Sequence, residues 1–283
     1  MIPPLGGLSI LLSTIELPLY ETDTGEVAME TFTLYHHPLS VCSMKVRLAL
    51  EEKGLTWSDH QIDIVEAQEQ LEPWYIKLNP KGVVPTLSHH DGDTKVITNS
   101  ADIIRHIASL DEGSSLLPPT DEKRALMEKL ISLADNIDLQ ILSYARHPSM
   151  EKSEKVLNAR IEKSLELAKQ HPDLEASYKI SAQRSQKNKT FRVDPEHVGD
   201  IEKGARESLS FAEQQLAQSS FLAGEQYTLA DVIWTVILAR LELLGYGAWI
   251  SEETSPLLSS YYQKMQSRKS FTTAQIQNQW WKK

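Results

Sequence analysis

One break in periodicity constrains this chain more than any other feature. Up to about residue 111 strand-like and helix-like patterns alternate, and beyond Pro118-Pro119 only helical spacing remains. Short β-runs alternating with helices build an α/β layer, whereas unbroken helical spacing builds a bundle. Two units with separate cores are therefore expected, and 283 residues suffice for both.

In the first half, Thr31 to Tyr35 reads as a strand, followed by a helix over 42–53 closed by Gly54. A strand over 56–63 leads to an irregular helix near 67–77. Two short strands, Val84 to Ser88 and Lys95 to Thr98, are joined by Asp91-Gly92-Asp93, where glycine supplies a hairpin's positive φ. A helix from Asn99 to about Leu110 puts Ile103, Ile104 and Ile107 on one face. The order β-α-β-α-β-β-α predicts an α/β sandwich of thioredoxin type over 30–111, with a stiff linker over 112–119.

The all-α second unit is expected over 120–283. Thr120 caps one long helix with Leu126, Leu130, Leu133, Ile137 and Ile141 in register, ending at His147-Pro148. Asp194-Pro195-Glu196 opens another, with proline in the first helical position. Tyr227-Thr228-Leu229-Ala230-Asp231 carries a capping box, and the helix behind it (Val232 to Leu244) is apolar nearly all round, as expected of a buried centre. Between them, 148–193 reads as a polar insertion with helical patches. Its nine Lys/Arg against six Asp/Glu within 151–190 make it slightly basic. A solvated face and a docking surface for a partner or acidic lipid both fit that balance.

Residues 1–29 read as an extension, with Met29 an alternative start. The balance of 29 basic and 39 acidic residues argues against nucleic acid or anionic membrane as a general partner. No apolar run reaches membrane-spanning length. One cysteine excludes an internal disulfide and fits a reducing, cytoplasmic compartment. His36-His37 and His89-His90 are adjacent pairs that point to opposite strand faces, so no metal site is expected.

That cysteine sits in Ser40-Val41-Cys42-Ser43-Met44-Lys45, where the first strand hands over to a helix. A helix N-terminus offers unpaired N–H groups and partial positive charge, which favour a thiolate. A small buried hydrophobe is the competing reading of the same residue.

Tyr35-His36-His37-Pro38 with Ser40-Val41-Cys42-Ser43-Met44-Lys45-Val46-Arg47 resembles the active-site segment of tetrachlorohydroquinone dehalogenases, within the cytosolic glutathione transferases. The Ser-x-Cys pattern also resembles zeta-class transferases. Asn79-Pro80-Lys81-Gly82-Val83-Val84-Pro85-Thr86-Leu87, Thr98-Asn99-Ser100 and Phe221-Leu222-Ala223-Gly224 are similar to further family signatures. The resemblance implies glutathione as co-substrate and no metal. It implies a cis Val84-Pro85 bond whose edge pairs with the cysteinyl part of glutathione, and Asn99 and Ser100 holding the γ-glutamyl end. It also implies a small hydrophobic electrophile between the units, beside helix 120–146 and Tyr144. Ser40 stabilises the glutathione thiolate in serine-type members. In dehalogenase-like members the residue matching Cys42 also forms a mixed disulfide, and zeta-class isomerases add glutathione to a double bond. All three stay open, with Ser40 and Cys42 the catalytic candidates. The family usually forms homodimers, so the resemblance allows a homodimer, with the long insertion the feature that would interfere with pairing. A non-catalytic glutathione-binding protein like the ganglioside-induced differentiation proteins is the rival, though their membrane tail is not expected after Asn278-Gln279-Trp280-Trp281.

Overall fold

The computed structural model describes residues 19–21, 27–29, 31–91 and 93–276. The extension expected over 1–29 lies for the most part outside them. Its described part is the antiparallel pair β1 (Leu19–Glu21) and β2 (Val27–Met29).

A four-stranded sheet follows, in the order β4-β3-β5-β6. β3 (Phe32–His36) is buried along its whole length, runs parallel to β4 (Ser58–Gln61) and antiparallel to β5 (Thr86–Asp91). β6 (Asp93–Ile97) completes the hairpin, with Asp91 opposite Asp93. α1 (Val41–Lys53) and α3 (Ser100–Ser109) pack together on one side of the sheet. α2 (Pro73–Leu78) covers the other, where Tyr35, Ile62, Tyr75 and Val84 form a cluster. This is the thioredoxin-like layer that the alternation predicts. β4 is shorter than the expected 56–63. Asp63 ends it by accepting from the N–H groups of Val65, Glu66 and Ala67 at 2.8–3.0 Å, which turns the chain away from the sheet.

Gly113 closes the layer where the chain crosses over the end of α1. At φ +71° a Cβ there would lie 1.8 Å from the Lys53 carbonyl, so only glycine fits.

The rest of the described chain is helical. The single helix expected from Thr120 to His147 is two, α4 (Asp121–Asp135) and α5 (Leu139–Ala145). Asp138 breaks the run by capping α5, its carboxylate accepting from Ile141 N–H at 3.0 Å. The helical patches read in the 148–193 insertion extend much further than expected. They form two long helices, α6 (Met150–Gln170) and α7 (Glu175–Phe191), packed lengthwise on each other. α8 (Pro195–Leu216) starts at the Asp194-Pro195 signal.

α9 (Leu229–Leu241) is buried at every position. It packs against α1 and α4, and Trp234 donates its indole N–H to Leu130 O at 3.0 Å. One continuous core thus runs from β3 through α1 to α9. α9 ends in a widened turn over 242–246, and α10 (Pro256–Gln266) and α11 (Lys269–Thr273) finish the bundle. Among the described residues no helix is long and apolar enough to cross a membrane.

Candidate functional site

A cleft of about 820 Å³ opens where the sheet unit meets the helical unit. Its floor is the start of α1. Ser40 is the N-cap, its hydroxyl accepting from Ser43 N–H at 3.3 Å. Cys42 therefore stands in the first turn, and it is exposed rather than packed as a small hydrophobe. The Val84-Pro85 bond is cis. Among the described residues the Val84 N–H and C=O make no hydrogen bond, which leaves a free backbone edge on the cleft wall just before β5.

Asn99 and Ser100 stand on the same wall at the start of α3. Here Asn99 is the cap, its Oδ1 accepting from Ala101 N–H at 2.9 Å, while Ser100 is the first helical residue. The Asn99 oxygen is thus occupied, and its Nδ2 and the Ser100 hydroxyl remain to face a ligand. Ser40, Cys42, Val84, Asn99 and Ser100 all line this one cleft, with Pro85 buried directly behind.

The opposite wall is helical. Tyr144 on α5 is half-buried there, and its hydroxyl accepts from Arg160 at 3.2 Å. Lys45 on α1 crosses to Asp135 at the end of α4, 2.6 Å away. His37 lies at the cleft edge, where Nδ1 accepts from Leu39 N–H at 3.2 Å. Burial pushes its pKa down to about 4, opposed by Asp63 and aided by His36 and Arg47, so the ring is neutral near pH 7.

Behind Cys42 stands Arg240, which sequence reading passed over. It is buried in α9 and donates to the Leu39 carbonyl at 2.5 Å. Burial lowers its pKa to about 10, while Cys42 is near enough to act on it in the opposite sense. It therefore stays charged at neutral pH. The signal was present in the sequence, since Arg240 interrupts a run that is otherwise almost wholly apolar. Arg160, Arg184 and Gln70, also on the cleft, carry no comparable local signal.

Residues 39–110 match the N-terminal domain of glutathione S-transferases, and residues 188–264 match their C-terminal domain. The tetrachloro-p-hydroquinone reductive dehalogenase of Sphingobium chlorophenolicum is 37% identical over 252 residues, covering 89% of this chain and 98% of the relative. Glutathione S-transferase TCHQD of Arabidopsis thaliana is 27% identical, covering 84% of this chain and 87% of the relative. Among solved structures, the β-etherase LigF of Sphingobium sp. strain SYK-6 superposes with a TM-score of 0.65 at 25% identity, covering 86% of this chain and 98% of that one. A thioredoxin-like layer, a helical bundle and, at their junction, a cysteine in the first turn of a helix capped by Ser40 accompany these matches, and the chain belongs to the glutathione S-transferase family.

Proposed function

We propose that this glutathione-dependent enzyme holds the tripeptide between α1, the Val84 edge and the start of α3, and presents its sulfur to an electrophile in the inter-unit cleft. The observation that carries the reading is the placement of Ser40 and Cys42 at the N-terminus of α1, open to the cleft, with the Arg240 cation behind them. The free Val84 edge suits the extended backbone of a small peptide. Ser100 at the first turn of α3 suits its γ-glutamyl carboxylate. Asn99 keeps only its amide donors for that end.

Ser40 donates its hydroxyl proton toward the glutathione sulfur and stabilises the anion that attacks the electrophile. Negative charge there is further favoured by the α1 dipole and by Arg240. Where the substrate is a chlorinated hydroquinone, the name of the Sphingobium relative supports a reductive outcome. Chloride leaves as the first carbon–sulfur bond forms. Cys42 then attacks the glutathionyl sulfur, the carbon takes a proton, and a second glutathione resolves the mixed disulfide on Cys42. The net change replaces chlorine by hydrogen and oxidises two glutathiones to their disulfide. A cytoplasmic location fits this supply of reduced thiol.

The pair Ser40→Ala and Cys42→Ser tests the assignment. Conjugation of 1-chloro-2,4-dinitrobenzene should survive in the Cys42 variant and fail in the Ser40 variant, while dechlorination of tetrachlorohydroquinone should fail in both. The reverse pattern for conjugation would overturn the role of Ser40. Retention on immobilised glutathione with neither reaction would mark a non-catalytic binding protein.

A further inference from the structure

All of α6 and most of α7 fall between the two segments that match the family, the first ending at 110 and the second beginning at 188 in the last turn of α7. The α6–α7 hairpin is fastened to the sheet unit. Lys163 pairs with Glu72 at 2.7 Å and donates to Ala67 O at 2.8 Å, and Tyr178 packs with Leu71 and Ile76. This docking carries two arginines to the cleft wall. Arg160 donates to Ile64 O at 2.6 Å and to Tyr144, and Arg184 donates to Gly82 O at 3.3 Å. Neither has a carboxylate partner among the described residues. The two acidic side chains on the cleft are engaged elsewhere, Asp135 with Lys45 and Asp138 as the cap of α5.

Two neighbouring guanidiniums without an anion are costly to desolvate. Burial and the charge of Arg160 hold Arg184 below its ordinary pKa, while Tyr144 opposes them. A second observation points to a ligand. Gln70 lines the same cleft at 2% exposure, and among the described residues neither its amide nitrogen nor its oxygen has a partner. The Nε of Arg160 is likewise buried and unpaired among them. Gly82, which Arg184 touches, precedes the Val83-Val84 edge by one residue.

We infer that Arg160 and Arg184, with Gln70, form a carboxylate-binding subsite that the α6–α7 hairpin adds to the cleft. The inference rests on the proposed glutathione site and specifies what binds beside it. Planar guanidinium forks match a two-oxygen anion. The carboxylate has two sources, because both reactants share the cleft. The glycyl carboxylate of glutathione has no counter-charge in the arrangement above, and an acidic electrophile would bring one of its own.

Two kinetic arms on the full chain separate them, each read as a ratio of KM values. The first sets glutathione against γ-glutamyl-cysteinyl-glycinamide, with 1-chloro-2,4-dinitrobenzene as the common electrophile. The second sets the anionic electrophile 4-chloro-3,5-dinitrobenzoate against neutral 1-chloro-2,4-dinitrobenzene at fixed glutathione. In the wild type the carboxylate-bearing member of one arm should be preferred by about tenfold or more, and that arm names the source. Arg184→Met and Arg160→Met should bring the ratio close to one, with Arg184→Lys recovering part of it. Equal KM values in both arms, or a preference that survives both methionine variants, overturns the subsite. A thermal melt of each variant confirms folding, and Arg184→Met serves if Arg160→Met fails to fold. Calorimetry with reduced glutathione tests the parent reading separately. If the wild type binds none, titration with the anionic benzoate alone decides. Binding lost in Arg184→Met supports the subsite, and binding unchanged or absent in the wild type overturns it.

Discussion

The guanidinium of Arg240 donates to the backbone carbonyl of Leu39 at 2.5 Å, joining helix α9 to the residue before Ser40 across 201 positions of sequence. One buried cation thus supports the backbone that aims the catalytic candidates and faces the sulfur chemistry with positive charge. Arg240→Met removes both effects. Turnover with glutathione and 1-chloro-2,4-dinitrobenzene should fall by roughly 10²-fold, the usual cost of losing one preorganised electrostatic contact. The acid limb of the kcat/KM profile should move to higher pH, with part of the loss recovered in Arg240→Lys. An unmoved pH profile would confine Arg240 to a structural role.

Asp231 has a larger structural role than a helix cap. Its carboxylate is fully buried and accepts from Thr228 N–H at 2.8 Å, the Thr228 hydroxyl at 3.1 Å, Leu222 N–H at 3.1 Å and Tyr261 Oη at 2.9 Å. Burial raises its pKa, and these donors pull it back. A cap alone is worth about 0.5–2 kcal/mol. Stranding several buried donors raises the expected loss for Asp231→Ala to about 3–5 kcal/mol. Calorimetric melting should drop by roughly 6–20 °C. A loss below about 1 kcal/mol would show that water replaces the carboxylate without difficulty.

Lys45 and Asp135 bridge the two units at 2.6 Å, but the lysine side chain is 7% exposed and the aspartate 38%. The burden of separation is therefore unequal. Asp135→Asn leaves a buried ammonium without its counter-charge and should cost about 2–4 kcal/mol. Lys45→Met returns the carboxylate to water and should cost about 1 kcal/mol or less. Urea unfolding of both single variants and the double variant measures the difference. Equal losses would mean that Lys45 finds another acceptor.

The alternation before residue 111, the capping box at Thr228 and the glutathione-loop pattern around Pro85 were legible because each is written in neighbouring residues. The break between α4 and α5 was not. Leu133, Ile137 and Ile141 keep helical spacing through it, and only the side chain of Asp138 competing for Ile141 N–H ends the run. The insertion fitted a solvated face as well as a docking surface because its apolar face is narrow. Tyr178 and Ala168 are buried in one cluster with Leu71 and Ile76, which lie far away in the sequence. The arginines of the cleft were hidden for the same reason. Charges on a mixed helix face look like solvent contacts until tertiary docking removes the solvent.

His37 gives the fold a defined response to acid. Burial holds its pKa near 4, against about 6.5 in an unfolded chain. Between those values the unfolded chain takes up a proton that the folded site refuses. Stability therefore falls as pH drops through this window, and the loss is complete below about pH 4. A change from 6.5 to about 4 corresponds to at most about 3 kcal/mol, less what partial solvent exposure of the ring returns. His36 beside it is shifted in the same direction, by burial and by Arg47, so the wild-type slope contains both. His37→Asn isolates one of them, because the Asn oxygen can replace Nδ1 as acceptor for Leu39 N–H without titrating. Urea midpoints at pH 7.5 and pH 4.5 should differ less in the variant than in the wild type. If the two proteins lose the same stability on acidification, the imidazole is protonated in the folded state and His37 is not the group that resists acid.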